Sequence, residues 1–142
     1  MTDVARLDCS AHRESLATLL RFVDERSARA KLRADDALAV RVAVEEVCEN
    51  IVKYGYPDRE AGSISLEFIS SSEQVTISIE DSGIAFDPTH LPPADVTSEW
   101  ASRPVGKLGW HLVRQLVDEI RYESISIGGN RVTLVKRRTA AI

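Results

Sequence analysis

Aromatic residues and excess positive charge are both scarce in this sequence. Only 6% of its 142 residues are aromatic, and 18 Lys and Arg face 22 Asp and Glu, which gives a net charge of −4. A protein that stacks single-stranded bases needs aromatic side chains, and a duplex binder needs a basic surface. The composition therefore argues against a nucleic-acid partner.

Cysteines and long apolar runs are scarce as well. Cys9 and Cys48 cannot form a disulfide framework, and neither has the spacing of a zinc site. No run approaches the about 18 apolar residues of a membrane span. Thr2, Asp3 and Val4 do not begin a signal peptide. We therefore expect a soluble protein of the reducing cytoplasm, with no membrane partner and with Cys48 in the core.

What is present suits one globular domain over residues 1–142, with 44% hydrophobic residues. Apolar spacings of three and four predict three helices: 13–31, 35–53 with Asp35 as its N-cap, and 109–122. Alternating residues predict two strands, 63–70 and 75–81, and a closing hairpin that turns at Gly128, Gly129 and Asn130. Residues 2–9 are compatible with an edge strand. Helices packed on one face of a mixed, mostly antiparallel sheet make this an α/β sandwich.

The segment 82–105 has weak periodicity and holds four of the five prolines. A structureless loop of this length is uncommon inside a compact domain and is usually functional. We therefore predict that residues 82–105 form a lid over a binding site.

The second predicted helix carries two polar rows. One is a solvated, salt-bridged face of alternating charge: Arg41, Glu45, Glu49 and Lys53. The other, beside the apolar stripe, leads from small residues to a carboxylate and an amide: Ala39, Ala43, Glu46 and Asn50. Glu46 and Asn50 are either polar residues at the border of the core or one wall of a ligand site.

Asp81 has the strand phase of the buried positions Val75, Ile77 and Ile79. A carboxylate that points into the core is costly unless something donates hydrogen bonds to it. Gly83 follows two residues later, so Asp81 either caps a turn or binds a ligand.

A third polar feature precedes the last predicted helix: Gly106, Lys107, Leu108 and Gly109. Glycines before a helix N-terminus let backbone N–H groups approach an anion such as phosphate. The spacing matches neither the Walker A loop nor the dinucleotide fingerprint.

Together these segments resemble the nucleotide-binding boxes of the GHKL ATPase superfamily, and more narrowly the bacterial anti-sigma factor serine kinases. Residues 43–50 followed by 54–56 are similar to the family's N box, in which a Glu precedes an Asn by four. Residues 81–88 fit its D-x-G-x-x-F-D-P box, and residues 106–113 lie where a G-G-x-G-L segment is expected. The resemblance covers nearly the whole chain.

The resemblance implies ATP and Mg²⁺ as ligands and gives each residue a role. Glu46 would be the general base for a protein serine, and Asn50 would coordinate Mg²⁺. Asp81 would accept a hydrogen bond from the adenine amino group, and Gly83 would let the backbone approach the base. The lid would enclose the phosphates together with Gly106 and Gly109.

Two positions depart from the family pattern. Lys107 replaces a glycine and Trp110 replaces a small aliphatic residue. Lys107 either contacts phosphate or stiffens the lid and weakens nucleotide binding. Lys53 resembles the N-box lysine of histidine kinases, and it either contacts phosphate or only completes the charged row with Glu49.

The implied function is a serine protein kinase and anti-sigma factor that phosphorylates a STAS-domain antagonist and sequesters a sigma factor; a homodimer is compatible with it. One alternative is a binding module that holds ATP without transferring phosphate, and another is the same switch with a different target. A detached histidine-kinase catalytic domain is the least favoured alternative, because no predicted helix carries a phospho-acceptor histidine. Since 142 residues is about the length of such a domain alone, we expect the phosphate to go to another chain.

Overall fold

A computed structural model describes residues 2–56, 60–84, 107–125 and 128–140 of the chain. The elements found there, in chain order, are β1 (Asp3–Ser10), α1 (Ser15–Arg29), α2 (Ala34–Tyr54), β2 (Ser63–Ser70), β3 (Gln74–Asp81), α3 (Lys107–Leu116), β4 (Glu119–Ser124) and β5 (Asn130–Arg137). The edge strand expected near the N-terminus is confirmed as β1.

The five described strands form one sheet in the order β1-β2-β3-β5-β4. All four ladders between them are antiparallel. Helix α1 contacts β1 and β2, and α2 contacts β3, α1 and α3. The predicted sandwich, with helices on one face of a mostly antiparallel sheet, is confirmed.

The core lies between the helices and the inward-facing residues of the sheet. Strands β2 and β3 alternate between buried and half-buried positions along most of their length, as expected of strands with one packed face. The apolar stripe predicted for α2 is buried, and it consists of Val40, Val44, Val47 and Ile51. Each such side chain contributes about 1.5–3 kcal/mol of hydrophobic stabilisation when fully buried.

The start of α2 differs from the prediction. Arg33, with extended backbone angles, is the N-cap, and Asp35 lies in the first turn. The Asp35 carboxylate accepts the backbone N–H of Asp36 at 3.1 Å. A negative side chain is stabilised anywhere in the first turn by the helix dipole, so an acidic residue there does not by itself locate the cap.

The prediction of a helix over residues 109–122 was wrong in its second half. Helix α3 ends at Leu116, and the Asp118 N–H donates to the Val135 carbonyl oxygen at 2.8 Å. Ile120 and Tyr122 lie in β4, where they pair with residues of β5. The spacing from Val113 to Ile120 suits a helix, but the pairing of β4 satisfies backbone groups that β5 would otherwise leave unpaired.

The charged row predicted on α2 is also present. Arg41 Nη1 lies 3.9 Å from Glu45 Oε2, and Lys53 Nζ lies 3.8 Å from Glu49 Oε2. Cys48 is buried, as expected of a core residue. Within the described ranges, no helix combines the length and apolarity needed to cross a bilayer.

Asp36 ties the first turn of α2 to the segment after β5. It is 3% exposed. Its carboxylate accepts hydrogen bonds from the Thr139 N–H at 2.8 Å and the Thr139 hydroxyl at 2.6 Å, and Lys136 Nζ lies 3.7 Å away. Burial alone would raise the pKa of Asp36, but the Thr139 hydrogen bonds and the Lys136 charge hold it below its ordinary value. This contribution to stability is present above the unfolded-state pKa and is lost as pH falls through the folded-state pKa.

We predict that Asp36→Asn lowers the free energy of unfolding by about 1–3 kcal/mol at pH 7, because the amide cannot replace both acceptors or attract Lys136. The difference from the unchanged protein should shrink as pH falls below about 4. Urea unfolding across this pH range measures it. Asp35→Asn, at an exposed neighbour, is the control and should change little. A loss that stays constant with pH would contradict this role of the carboxylate charge.

Candidate functional site

A cavity of about 170 Å³ opens between α2, the end of β3, α3 and the start of β5. Its walls are mostly apolar with a few polar side chains, which is the usual character of a small-molecule site. The lining residues are Val47, Asn50, Ile51, Tyr54, Gly55, Asp81, Ile84, Trp110, Asn130 and Val132. Two of the predicted site residues, Asn50 and Asp81, therefore lie on one cavity.

Asp81 ends β3 with its side chain on the core face of the sheet, 8% exposed. Its Oδ1 atom accepts the Gly83 N–H at 2.8 Å and an Asn130 Nδ2–H at 3.1 Å. Among the described residues, no hydrogen bond reaches Oδ2. Burial raises the pKa of Asp81, and these two hydrogen bonds offset part of that rise. Asp81 thus caps the turn through one oxygen and keeps the other for the cavity.

The turn after β3 is fixed against the end of α2. The Ile84 N–H donates to the Gly55 carbonyl oxygen at 2.9 Å, and a Cβ on Gly83 would clash with that same oxygen. The Tyr56 hydroxyl accepts the Ser82 N–H at 2.9 Å. Because two backbones approach each other closely here, only glycine fits at position 83. The same contact holds the end of β3, and with it Asp81, against the C-terminal end of α2.

Asn130 was predicted as a turn residue, but it is the first residue of β5 and is 4% exposed. Its side chain bonds to Asp81 and also donates to the Ile84 carbonyl oxygen at 2.7 Å. The sequence held a signal for this position, because Asn130 has the same strand phase as the buried residues Val132 and Leu134. Asn130 is a site residue that the sequence reasoning missed.

Asn50 and Glu46 lie one turn apart on α2. The Nδ2 atom of Asn50 is buried and has no hydrogen-bond partner among the described residues. A buried polar atom without a partner costs about 1–3 kcal/mol, so this amide is suited to a ligand. Nδ2 can only donate, so it suits an acceptor such as a phosphate oxygen. The Oδ1 atom of the same amide would be the protein ligand for Mg²⁺, an ion that usually takes few protein ligands beside phosphate oxygens and water.

Glu46 is half-buried beside the start of α3. A Cβ on Gly109 would clash with the Glu46 carboxylate, so the two residues are close neighbours. Burial raises the pKa of Glu46; the charges of Glu49 and Glu45 raise it further, against the opposing charge of Lys53. An elevated pKa makes a carboxylate a stronger proton acceptor, as a general base requires.

The remaining predicted site residues lie either outside the cavity lining or outside the described part of the chain. Lys53 pairs with Glu49 and does not line the cavity, so its phosphate contact remains a prediction. Lys107 is the first residue of α3. Gly106 and most of the predicted lid, 85–105, lie outside the described residues. Trp110, noted as a departure from the family pattern, is 3% exposed and lines the cavity.

Comparison with known proteins identifies the family. The model of the histidine kinase-like ATPase domain matches residues 9–136. This chain belongs to that family. A solved structure of the RsbU and RsbW domains of Rv1364c from Mycobacterium tuberculosis superimposes with a TM-score of 0.71 at 19% identity, covering 98% of this chain and 33% of the other. At that identity the likeness supports the fold alone.

Two curated relatives of this chain have names that state a function. Serine-protein kinase RsbW of Bacillus cereus is 30% identical over 91 residues, which are 61% of this chain and 56% of the relative. Anti-sigma F factor of Clostridium novyi (strain NT) is 30% identical over 101 residues, covering 69% of this chain and 68% of the relative. The chain thus matches little more than half of the kinase's length.

We predict that Asp81→Asn leaves the ligand-free protein at least as stable at pH 7 as the unchanged protein. Because burial raises the folded-state pKa of Asp81, stability decreases as pH rises through that pKa, and the ionised carboxylate is a cost at neutral pH. The amide keeps the oxygen that accepts from Gly83 and Asn130 and removes the charge.

Asp81→Ala is the matched comparison, since it removes that acceptor and should cost about 1–3 kcal/mol. Urea unfolding of both variants without nucleotide measures the difference. If the Asn variant were as unstable as the Ala variant, the Asp81 charge would stabilise the fold, and the interpretation that Oδ2 is kept for a ligand would be wrong.

Proposed function

We propose that this chain is an ATP-dependent serine protein kinase of a partner-switching module. It binds Mg·ATP in the cavity beside α2, phosphorylates a serine of a STAS-type anti-anti-sigma factor, and sequesters a sigma factor. The observation that carries the proposal is the buried Asp81 carboxylate, which has one oxygen bonded within the fold and the other left for a ligand. The family match supports the nucleotide, and the two relatives support the reaction.

The base of the nucleotide occupies the apolar part of the cavity. Val47, Ile51 and Val132 supply apolar surface there. Asp81 Oδ2 accepts the exocyclic amino hydrogen of adenine. Gly83 has no side chain to block the approach of the base to the backbone. An ionised carboxylate makes a stronger hydrogen bond than a neutral acceptor, so this contact favours a base with an amino donor.

The phosphates extend along α2 away from Asp81. Asn50 lines the cavity, whereas Glu46, one turn earlier on the helix, lies outside its lining and beside Gly109. Mg²⁺ bound through Asn50 would neutralise phosphate charge. The N-terminal end of α3, which begins at Lys107, carries the positive end of the helix dipole, and this favours phosphate. Gly106, Lys107 and Lys53 are the further phosphate contacts in this proposal.

Glu46 accepts the proton of the substrate serine. The serine Oγ forms a bond to the γ-phosphorus while the bond from that phosphorus to the bridging oxygen breaks, and ADP leaves with the electron pair. Phosphoryl transfer needs mainly positioning and charge neutralisation, so one base and a phosphate cradle suffice. Because the pKa of Glu46 is raised, its proton-accepting form is lost at a higher pH than that of an ordinary glutamate.

Partner choice follows from the relatives and from charge. One relative is named as a serine-protein kinase and another as an anti-sigma factor; a single switch protein combines the two roles by holding one partner and modifying the other. The net charge of −4 favours a protein partner over nucleic acid. The antagonist and the sigma factor compete for the chain, and the bound nucleotide biases the choice.

We predict that Glu46→Gln abolishes phosphate transfer while nucleotide affinity changes little. The amide fills the same space beside Gly109 but cannot take a proton. The measurement incubates the protein with Mg·ATP carrying labelled γ-phosphate and with STAS-domain proteins of the same genome. Glu45→Gln, on the adjacent solvated row, is the matched control and should retain transfer.

Two results would decide against this account. If Glu46→Gln still labels a serine at the rate of the Glu45→Gln control, Glu46 is not the base. If the unchanged protein binds ATP tightly but labels no STAS protein, the chain is a nucleotide-binding regulatory module and not a kinase.

A further inference from the structure

A chain of side-chain hydrogen bonds leads from β4 to the cavity. The Tyr122 hydroxyl donates to Asn130 Oδ1 at 2.6 Å. The Nδ2 atom of Asn130 in turn donates to Asp81 Oδ1 at 3.1 Å and to the Ile84 carbonyl oxygen at 2.7 Å. Tyr122 does not line the cavity, whereas Asn130 and Asp81 do. The cavity wall is thus hydrogen-bonded to Tyr122, a residue that lies outside the cavity lining.

This chain fixes which way the Asn130 amide faces. Nδ2 meets two acceptors, and Oδ1 meets a hydroxyl that can donate. Turned by half a rotation, the amide would place Oδ1 against the Asp81 carboxylate and the Ile84 carbonyl oxygen, where neither neighbour has a hydrogen to give. The Tyr122 hydroxyl stabilises the observed orientation further, because it supplies the donor that Oδ1 requires in a buried position.

The amide orientation determines what Asp81 offers the ligand. With an Asn130 donor and the Gly83 N–H both on Oδ1, the carboxylate is held in one rotamer as an acceptor. A site built to accept from an amino group rejects a base that presents a carbonyl there, because two acceptors would then face each other. Selectivity therefore depends on the Asn130 donor as well as on Asp81.

We propose that Tyr122 and Asn130 are positioning residues that set the base selectivity of this cavity, through a Tyr122–Asn130–Asp81 relay. The inference rests on the proposed nucleotide site. Tyr122 acts through Asn130, and Asn130 acts by orienting Asp81 toward bases that carry an exocyclic amino donor.

The test compares the binding of ATP and inosine triphosphate by calorimetry, without any protein partner. In the ring, these nucleotides differ only at C6 and N1, where an amino group and a bare nitrogen become a carbonyl and an N–H. The unchanged protein should prefer ATP. Tyr122→Phe, which removes only the hydroxyl, should reduce the ratio of the two dissociation constants about fivefold, the effect of one hydrogen bond.

Asn130→Asp is the second variant. It has nearly the same shape, but it places a carboxylate against Asp81, so one of the two must hold a proton. That proton lies between the two carboxylates, so Asp81 loses the amide donor that orients it, and the preference for ATP should fall further than in Tyr122→Phe. Asp36→Asn, which loosens the fold far from the cavity, is the control for general destabilisation and should leave the ratio unchanged.

The outcomes separate the relay from the nucleotide site itself. If the unchanged protein binds neither nucleotide, the proposed function fails and the relay with it. If it prefers ATP but both variants keep the same ratio, the relay is overturned and the proposed function stands. Equal loss of affinity for both nucleotides would show that Tyr122 and Asn130 only support the fold, which also overturns the relay.

Discussion

The candidate site is organised around a carboxylate buried at the end of a central strand. Asp81 lies where the alternation of β3 calls for an apolar residue, and the fold retains it by donating the Gly83 N–H and an Asn130 amide hydrogen to one oxygen. A buried charge with only part of its hydrogen-bonding capacity used is costly. That cost is accounted for if the remaining oxygen binds a ligand, since proteins tolerate such groups mainly at functional sites.

The contacts around Asp81 also join the elements that form the cavity. Gly55, just after α2, accepts the Ile84 N–H, and Asn130 at the start of β5 bonds to the same turn. The cavity walls come from α2, β3, α3 and β5, and hydrogen bonds link the end of α2, the turn after β3 and the start of β5. Asn50 and Glu46 lie one turn apart on α2, and the proposed function therefore places the base, the phosphates and the reacting serine at successive positions along this helix.

Sequence patterns predicted those parts of the fold in which the apolar residues follow a single consistent period. The alternation of β3 placed Asp81 correctly on the inward face, and the apolar stripe of α2 placed Asn50 beside the core, where it lines the cavity. The patterns failed where the spacing of the apolar residues fits both a helix and a strand. The residues near Ile120 suit a helix, but they pair with β5 and form a strand. Asn130 was missed because two glycines before it suggested a turn, although its phase with Val132 pointed inward. Contacts between distant segments, such as Gly83 against Gly55, have no local signal at all.

The most direct test of the central claim is a calorimetric titration of the protein and of Asp81→Asn with Mg·ATP. If the free oxygen of Asp81 binds the adenine amino group, the substitution puts an amide donor against that donor. The dissociation constant should then rise by a factor equivalent to about 1–3 kcal/mol, in a variant that remains folded. Equal affinity for ATP in both proteins would contradict the account, because the buried carboxylate would then not contact the base.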